Sequence, residues 1–169
     1  QRQRQQSPSG RAGLQFFQQL YGDHPYANPP AGLASSVQRI TPADLKAFHA
    51  RYYTVRNAVL VLVGDIDRKT AETIAANFSL RLPAGDAAPA LPEPVPLKKA
   101  KRQHIEMPSQ QTFVVLGELG LSRNDPDYFP LLVANEILGG SGFGSLLTRE
   151  LREKRGLTYS VSSQFVPMR

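Results

Sequence analysis

Residues 83–97 read PAGDAAPALPEPVPL, with five prolines in fifteen residues and no sustained apolar period. Proline fixes φ and removes a backbone donor, so such a run neither continues a helix nor enters the interior of a sheet, and it predicts an extended linker. It divides the chain into 1–82 and 99–169, with the linker at 83–98. Just upstream, Thr41-Pro42-Ala43-Asp44 opens a helix with an N-cap hydroxyl, a proline at the first helical position and an acid three residues after the cap. Leu45, Phe48, His49 and Tyr52 then recur at helical spacing, which predicts one buried face. The run Asn57 to Val63, continuous and rich in Val, predicts a strand covered on both faces or central in its sheet, and Asp67 caps a further helix carrying Ala71, Ile74, Ala75 and Phe78.

Working outward, Leu14 to Leu20 forms a short amphipathic helix stopped by Gly22 and Pro25. Beyond the linker, 100–106 and 112–118 predict two strands separated by Met107-Pro108-Ser109. Asn124-Asp125-Pro126-Asp127 opens a helix bearing Phe129, Leu132, Val133 and Ile137, bent near its start by Pro130. That helix ends in Gly139-Gly140-Ser141-Gly142-Phe143-Gly144. A helix from Ser145 to Arg155 follows, with Leu147 and Leu151 inward, then Gly156 at its C′ position and an alternating strand from Leu157 to Phe165.

Composition narrows the function classes. The 169 residues are 41% hydrophobic and 20% charged, enough for a packed core. There is no cysteine, hence no disulfide framework, thiol nucleophile or thiolate-bound zinc, and the compartment stays open. No apolar run reaches the roughly 18 residues of a membrane span. The start QRQRQQSPSG lacks the apolar region of a signal peptide. The first methionine is Met107, and the chain closes on an unturned strand, so the sequence reads as a piece of a longer protein. The net charge of +6 comes from 20 Lys+Arg against 14 Asp+Glu, and its excess lies in residues 1–60. The arginines are dispersed, without the aromatic pattern of an RNA-binding sheet, which reads as a solvated basic face with no nucleic-acid partner.

His24, His49 and His104 are scattered, and no glutamate precedes Glu72, so no HxxEH or HExxH zinc pair exists. His49 reads as a core or helix-packing residue and His24 as a loop-fixing hydrogen-bonder. Ser141 is no nucleophile elbow, because the glycine run follows a helix rather than a strand, and the run lacks the Lys-Ser/Thr ending of a phosphate loop. It serves either as a helix–helix connection or as bare backbone that an extended ligand can approach. In Leu151-Arg-Glu-Lys-Arg-Gly-Leu-Thr-Tyr159, a glycine turn lies between Arg152 and Tyr159 and lets the two side chains converge. Guanidinium and phenol both donate to peptide carbonyls or a terminal carboxylate. A helix-surface arginine beside a core-edge tyrosine needs no ligand at all, and both readings stand on spacing.

Taken in order, YGDHPY (21–26), TPADLKAFHARYY with NAVLVLVGD, the proline-rich break and ANEILGGSGFGSLLTRELREKRGLTYSV (134–161) resemble the insulinase-like (pitrilysin, M16) metallopeptidases. The likeness is greatest to their bacterial two-domain members and to the subunits of mitochondrial processing peptidase. It covers residues 14–166, and LREKRGLTYS is its most specific block. It implies an α+β fold: an α/β sandwich with an antiparallel or mixed sheet and helices packed on one face. Residues 1–82 then correspond to the second half of an N-terminal domain, and 99–169 to the first half of a homologous C-terminal one.

In that family zinc is held by HxxEH and a distant glutamate. The resemblance therefore implies a zinc endopeptidase parent whose metal and catalytic residues lie outside this chain, which alone is inactive. Positions 1–10 fall at or just past the third ligand and hold only Gln, Arg, Ser, Pro and Gly. Arg152 and Tyr159 match the pair that hydrogen-bonds bound peptide opposite the zinc. Gly139, Gly140, Gly142 and Gly144 match a glycine-rich loop implicated in substrate handling. The implied partners are a peptide substrate and a homologous M16 half or subunit, and the implied compartment is periplasmic; sheets left incomplete in each half would also expose edge strands that invite pairing with a further copy of the chain. The alternative is a non-catalytic subunit that pairs with an HxxEH-bearing partner.

Overall fold

The structure is a computed structural model that describes residues 6–142 and 144–168. Positions 1–5, half of the segment compared with the third zinc ligand, lie outside the described residues, as does Phe143 of the glycine-rich loop. The chain forms two compact units, 1–116 and 117–169.

In the first unit, helix α1 (Pro8–Tyr21) begins six residues before the expected Leu14, because the Ser7 hydroxyl accepts from the Gly10 N–H at 3.1 Å and Pro8 fits the first turn. It ends at Gly22, and an aromatic cluster gathers there. Phe17 stacks on Tyr21 at 6.0 Å, and Tyr26 meets Tyr21 edge-on at 5.5 Å. Burial, with a smaller contribution from Tyr26, pushes the Tyr21 phenol upward. A short helix α2 (Ala34–Val37) precedes α3 (Pro42–Tyr52). The start of α3 follows the sequence reading: the Asp44 N–H donates to Thr41 Oγ1 at 3.2 Å, and the Thr41 N–H donates to Asp44 Oδ2 at 2.8 Å. Helix α4 (Arg68–Ser79) is capped by Asp67, which accepts from Thr70 N–H at 2.6 Å.

The proline-rich stretch belongs to this unit and is tied down along its length. Val55 N–H donates to Pro83 O at 3.1 Å, and Ala88 N–H to Asn57 Oδ1 at 2.6 Å. His24 Nε2 lies 2.8 Å from Pro92 O. Its other ring nitrogen accepts from Tyr26 N–H at 3.1 Å, so Nε2 carries the proton and donates to the carbonyl. His24 thus fixes its loop, as the sequence predicts, and fastens the strap as well. Gly85 lies against buried Thr54, where a Cβ would stand 2.4 Å from the threonine methyl.

In the second unit, Asp125 makes a turn in which its carboxylate accepts from Asp127 N–H at 2.9 Å, and helix α5 (Tyr128–Gly139) starts two residues after Pro126. Pro130 falls in the first turn, where its missing N–H has no intrahelical acceptor to lose. Buried Tyr128 packs on Phe165 at 5.3 Å, and the Phe165 ring lies over the bare backbone of Gly120.

The expected α+β sandwich is not what forms: the described residues contain helices and irregular segments, with no strand and no sheet. The runs at 57–63, 100–106, 112–118 and 157–165 have the composition of strands. A strand, however, exists only when its N–H and C=O groups pair with a neighbouring strand, and among the described residues none of these runs finds one. Many of their side chains stay in solvent, with Val63 94% and Leu116 95% exposed, although Phe165 and Ser163 are partly covered. The face of α3 expected to be buried is likewise open: Leu45 is 61% and Phe48 56% exposed, and His49 stacks on Tyr53 at 4.7 Å instead of entering a core. The missing strand pairing is the physical reason the sandwich does not form, and the uncovered apolar runs are its consequence.

Candidate functional site

The Ser145 hydroxyl accepts from Thr148 N–H at 3.4 Å and donates to Thr148 Oγ1 at 3.0 Å, which starts the turns that carry Arg152. Residues Thr148–Glu153 then wind as a π-helix, with Lys154 N–H donating to Arg149 O, five residues back, at 3.0 Å. The sequence predicts an ordinary α-helix here. Wider winding turns the later side chains about the axis, so the direction of Arg152 follows from a feature with no signature in composition. The helix ends at Glu153, two residues short of the expected Arg155, and the chain reverses at Gly156, whose φ is +61°. Its N–H donates to Arg152 O at 3.0 Å, and that of Leu157 to Leu151 O at 2.9 Å.

This reversal brings Tyr159 back along the helix end. The Arg152 guanidinium carbon stands 4.9 Å from the Tyr159 ring centroid, within the range of a cation–π contact. The ring is 85% exposed. The convergence expected from the glycine turn is therefore present: a planar cation lies over a phenol that faces solvent. On the same turns, Glu150 Oε1 lies 2.7 Å from Lys154 Nζ and 3.5 Å from Arg149 Nε. The Lys154 hydrogen bond above all holds its carboxyl below the usual range.

The glycines play unequal parts. Gly139 is buried, and a Cβ on it would sit 2.4 Å from Ser163 N, so the two backbones touch. At Gly140 the atoms nearest to a Cβ would be those of the Glu136 carboxylate, whose Oε1 also accepts from the Ser141 hydroxyl at 3.3 Å. Gly142 has φ +101°, and a Cβ on Gly144 would meet open space. Asn135 and Ser163 are the residues that sequence reasoning missed. Their side chains bond each other across 28 positions, and the only cue was a lone amide within the apolar run Leu131 to Leu138.

The histidines do not assemble a metal centre. Both ring nitrogens of His24 are engaged, His49 stacks on Tyr53, and His104 pairs with Glu106 at 2.9 Å on the surface. Among the described residues no three His, Asp or Glu side chains are grouped to hold an ion, so these residues do not fit a zinc site. The clefts of the first unit are open, one of about 380 Å³ beside Arg11 and Ile105 and one of about 290 Å³ between Arg51 and Asp86. Arg152, Tyr159, the three histidines and the glycines of the 139–144 loop line neither of them. No described helix is long and apolar enough to cross a membrane.

The family model described as "Peptidase M16 inactive domain" matches residues 39–168, a span that takes in the proline-rich strap, the glycine-rich loop, Arg152 and Tyr159. The chain belongs to that family. It is 32% identical over 163 residues to an uncharacterized zinc protease of Mycobacterium leprae, covering 95% of this chain and 36% of the relative. It is 33% identical over 156 residues to the non-peptidase homolog YmxG of Helicobacter pylori, covering 89% and 34%. A crystal structure of a peptidase M16 inactive domain from Pseudomonas fluorescens superposes with a TM-score of 0.88 at 46% identity, over 99% of this chain and 40% of that one. This M16 chain thus spans little more than a third of the length of the relatives it matches.

Proposed function

We propose that this M16 inactive-domain chain holds extended peptide for a zinc endopeptidase and contributes chamber wall and donors rather than the metal. The observation that carries this reading is the juxtaposition of Arg152 and Tyr159 on an exposed turn. The ring face steadies the guanidinium, whose planar fork suits a carboxylate or backbone carbonyl, while the phenol donates alongside. Of the loop glycines, exposed Gly142 and Gly144 supply backbone that a bound strand can approach, in the manner of β-strand addition, while Gly139 and Gly140 pack against Ser163 and Glu136 and hold the loop in place. Zinc belongs to the parent, supported by the names of the relatives. The peptide substrate, a homologous M16 half and self-association through the open apolar runs are further parts of the same reading. So is the assignment of 1–82, 83–98 and 99–169 to two half-domains and a linker, which rests on the proline run. The test is kinetic: in the complete enzyme, Arg152→Ala and Tyr159→Phe lower kcat/KM without loss of zinc.

A second reading, a non-catalytic subunit that completes a partner's site, is favoured by the similarity to the non-peptidase homolog YmxG. It predicts peptide binding without cleavage by the full-length parent. A purified parent that carries stoichiometric zinc and cleaves peptide unaided rejects it.

A further inference from the structure

The segment that carries Tyr159 is fastened to α5 by a reciprocal clamp. Asn135 Nδ2 donates to Ser163 O at 3.3 Å, and the Ser163 hydroxyl donates to Asn135 Oδ1 at 2.5 Å. Ser163 N–H donates to Gly139 O at 2.8 Å, where the two backbones are in contact. Ser163 lies four residues beyond Tyr159, and Gly139 opens the glycine-rich loop, so these bonds tie the loop and the Tyr159 segment to one another. Both side chains are half-buried, so any group left unpaired there is denied full hydration. A carboxamide is required at 135: it supplies a donor and an acceptor in fixed geometry, whereas a carboxylate lacks the donor and opposes the Ser163 carbonyl.

We propose that Asn135 and Ser163 are positioning residues that set where the Arg152–Tyr159 pair stands relative to the glycine-rich loop; this rests on reading that pair as the peptide-holding one. Neither touches peptide. They act by fixing the register between the two surfaces that do.

The experiment uses the 169-residue chain and a fluorescein-labelled, proline-free unstructured peptide, with binding read by anisotropy and the Tyr159 ring signals by NMR. Asn135→Leu and Asn135→Asp are expected to weaken binding roughly three- to tenfold, the size of one net hydrogen bond, and to shift the Tyr159 ring signals. Ser163→Ala shows the same trend and serves if Asn135→Leu loses its far-UV circular dichroism. Ser163→Thr keeps the hydroxyl and restores affinity to within about twofold of wild type. Wild-type binding that all these variants leave unchanged, with unmoved Tyr159 signals, overturns the positioning role alone. A wild-type chain that fails to bind the peptide, while Asn135→Leu still shifts Tyr159, overturns the peptide-holding reading and the positioning role with it.

Discussion

The guanidinium of Arg152 lies over the ring of Tyr159 at 4.9 Å, held there by a π-helical turn before it and a left-handed glycine after it. The contact separates the two functions of the tyrosine. Tyr159→Phe keeps the ring face beneath the cation and removes only the phenol donor. In the complete enzyme it is expected to reduce kcat/KM by about 1–3 kcal/mol of transition-state binding, with zinc content unchanged. Tyr159→Ala, which also removes the ring, costs about 0.5–1 kcal/mol more. Steady-state kinetics with parallel metal analysis checks both; equal kinetics for wild type and Tyr159→Phe contradicts a donor role.

The glycine-rich loop gives a graded prediction. At Gly139 an added methyl meets the Ser163 backbone, which has nowhere to move, so Gly139→Ala destabilises the second unit by about 1–3 kcal/mol. At Gly140 it meets the end of the flexible Glu136 side chain, and at Gly144 nothing, so those alanine variants stay within about 0.5 kcal/mol of wild type. Urea titration of the three variants gives the order directly; equal effects at Gly139 and Gly144 refute the packing account.

Asn57 anchors the proline-rich strap. Its Nδ2 lies 3.1 Å from Tyr52 O, 3.0 Å from Thr54 Oγ1 and 3.2 Å from Asp86 O, and its Oδ1 accepts from Ala88 N–H. Asn57→Ala should release residues 86–92, costing about 1–2 kcal/mol and accelerating amide exchange at Ala88. Unchanged exchange at that amide contradicts an anchoring role.

Acid acts on α3 and α4 through their caps. The Thr41 hydroxyl, then its backbone N–H, holds the Asp44 carboxyl below its ordinary range, and the Thr70 backbone N–H does the same for Asp67. A carboxyl lowered in the folded state adds stability that is full above the unfolded value of about 3.9 and is lost as pH falls through the folded value. Helicity should therefore hold from neutral pH to about pH 4.5 and decline below. Far-UV circular dichroism of wild type, Asp44→Asn and Asp67→Asn reads this; a loss already between about pH 5 and 7 points to a histidine instead.

Local signals were legible in the sequence and non-local ones were not. Thr41 with Asp44, Asp67 with Thr70, and Gly156 each act within a few residues, and each cap forms where composition places it. The Arg152–Tyr159 convergence shares that origin, because one glycine turn carries it. The runs 57–63 and 112–118 failed as strands because pairing depends on a partner that residue types cannot supply. Leu45 and Phe48 show helical periodicity, which names the face that wants cover but not what covers it. The ties of Asn57 to Ala88 and of Asn135 to Ser163 span 31 and 28 positions and left no local pattern to read.

The central claim, a metal-independent peptide-holding surface built on Arg152 and Tyr159, is tested most directly by titrating the chain against a labelled unstructured peptide in excess EDTA. The account predicts saturable binding indifferent to the chelator and weakened roughly tenfold or more by Arg152→Ala with Tyr159→Phe. Binding that EDTA abolishes, or that the double variant retains in full, contradicts it.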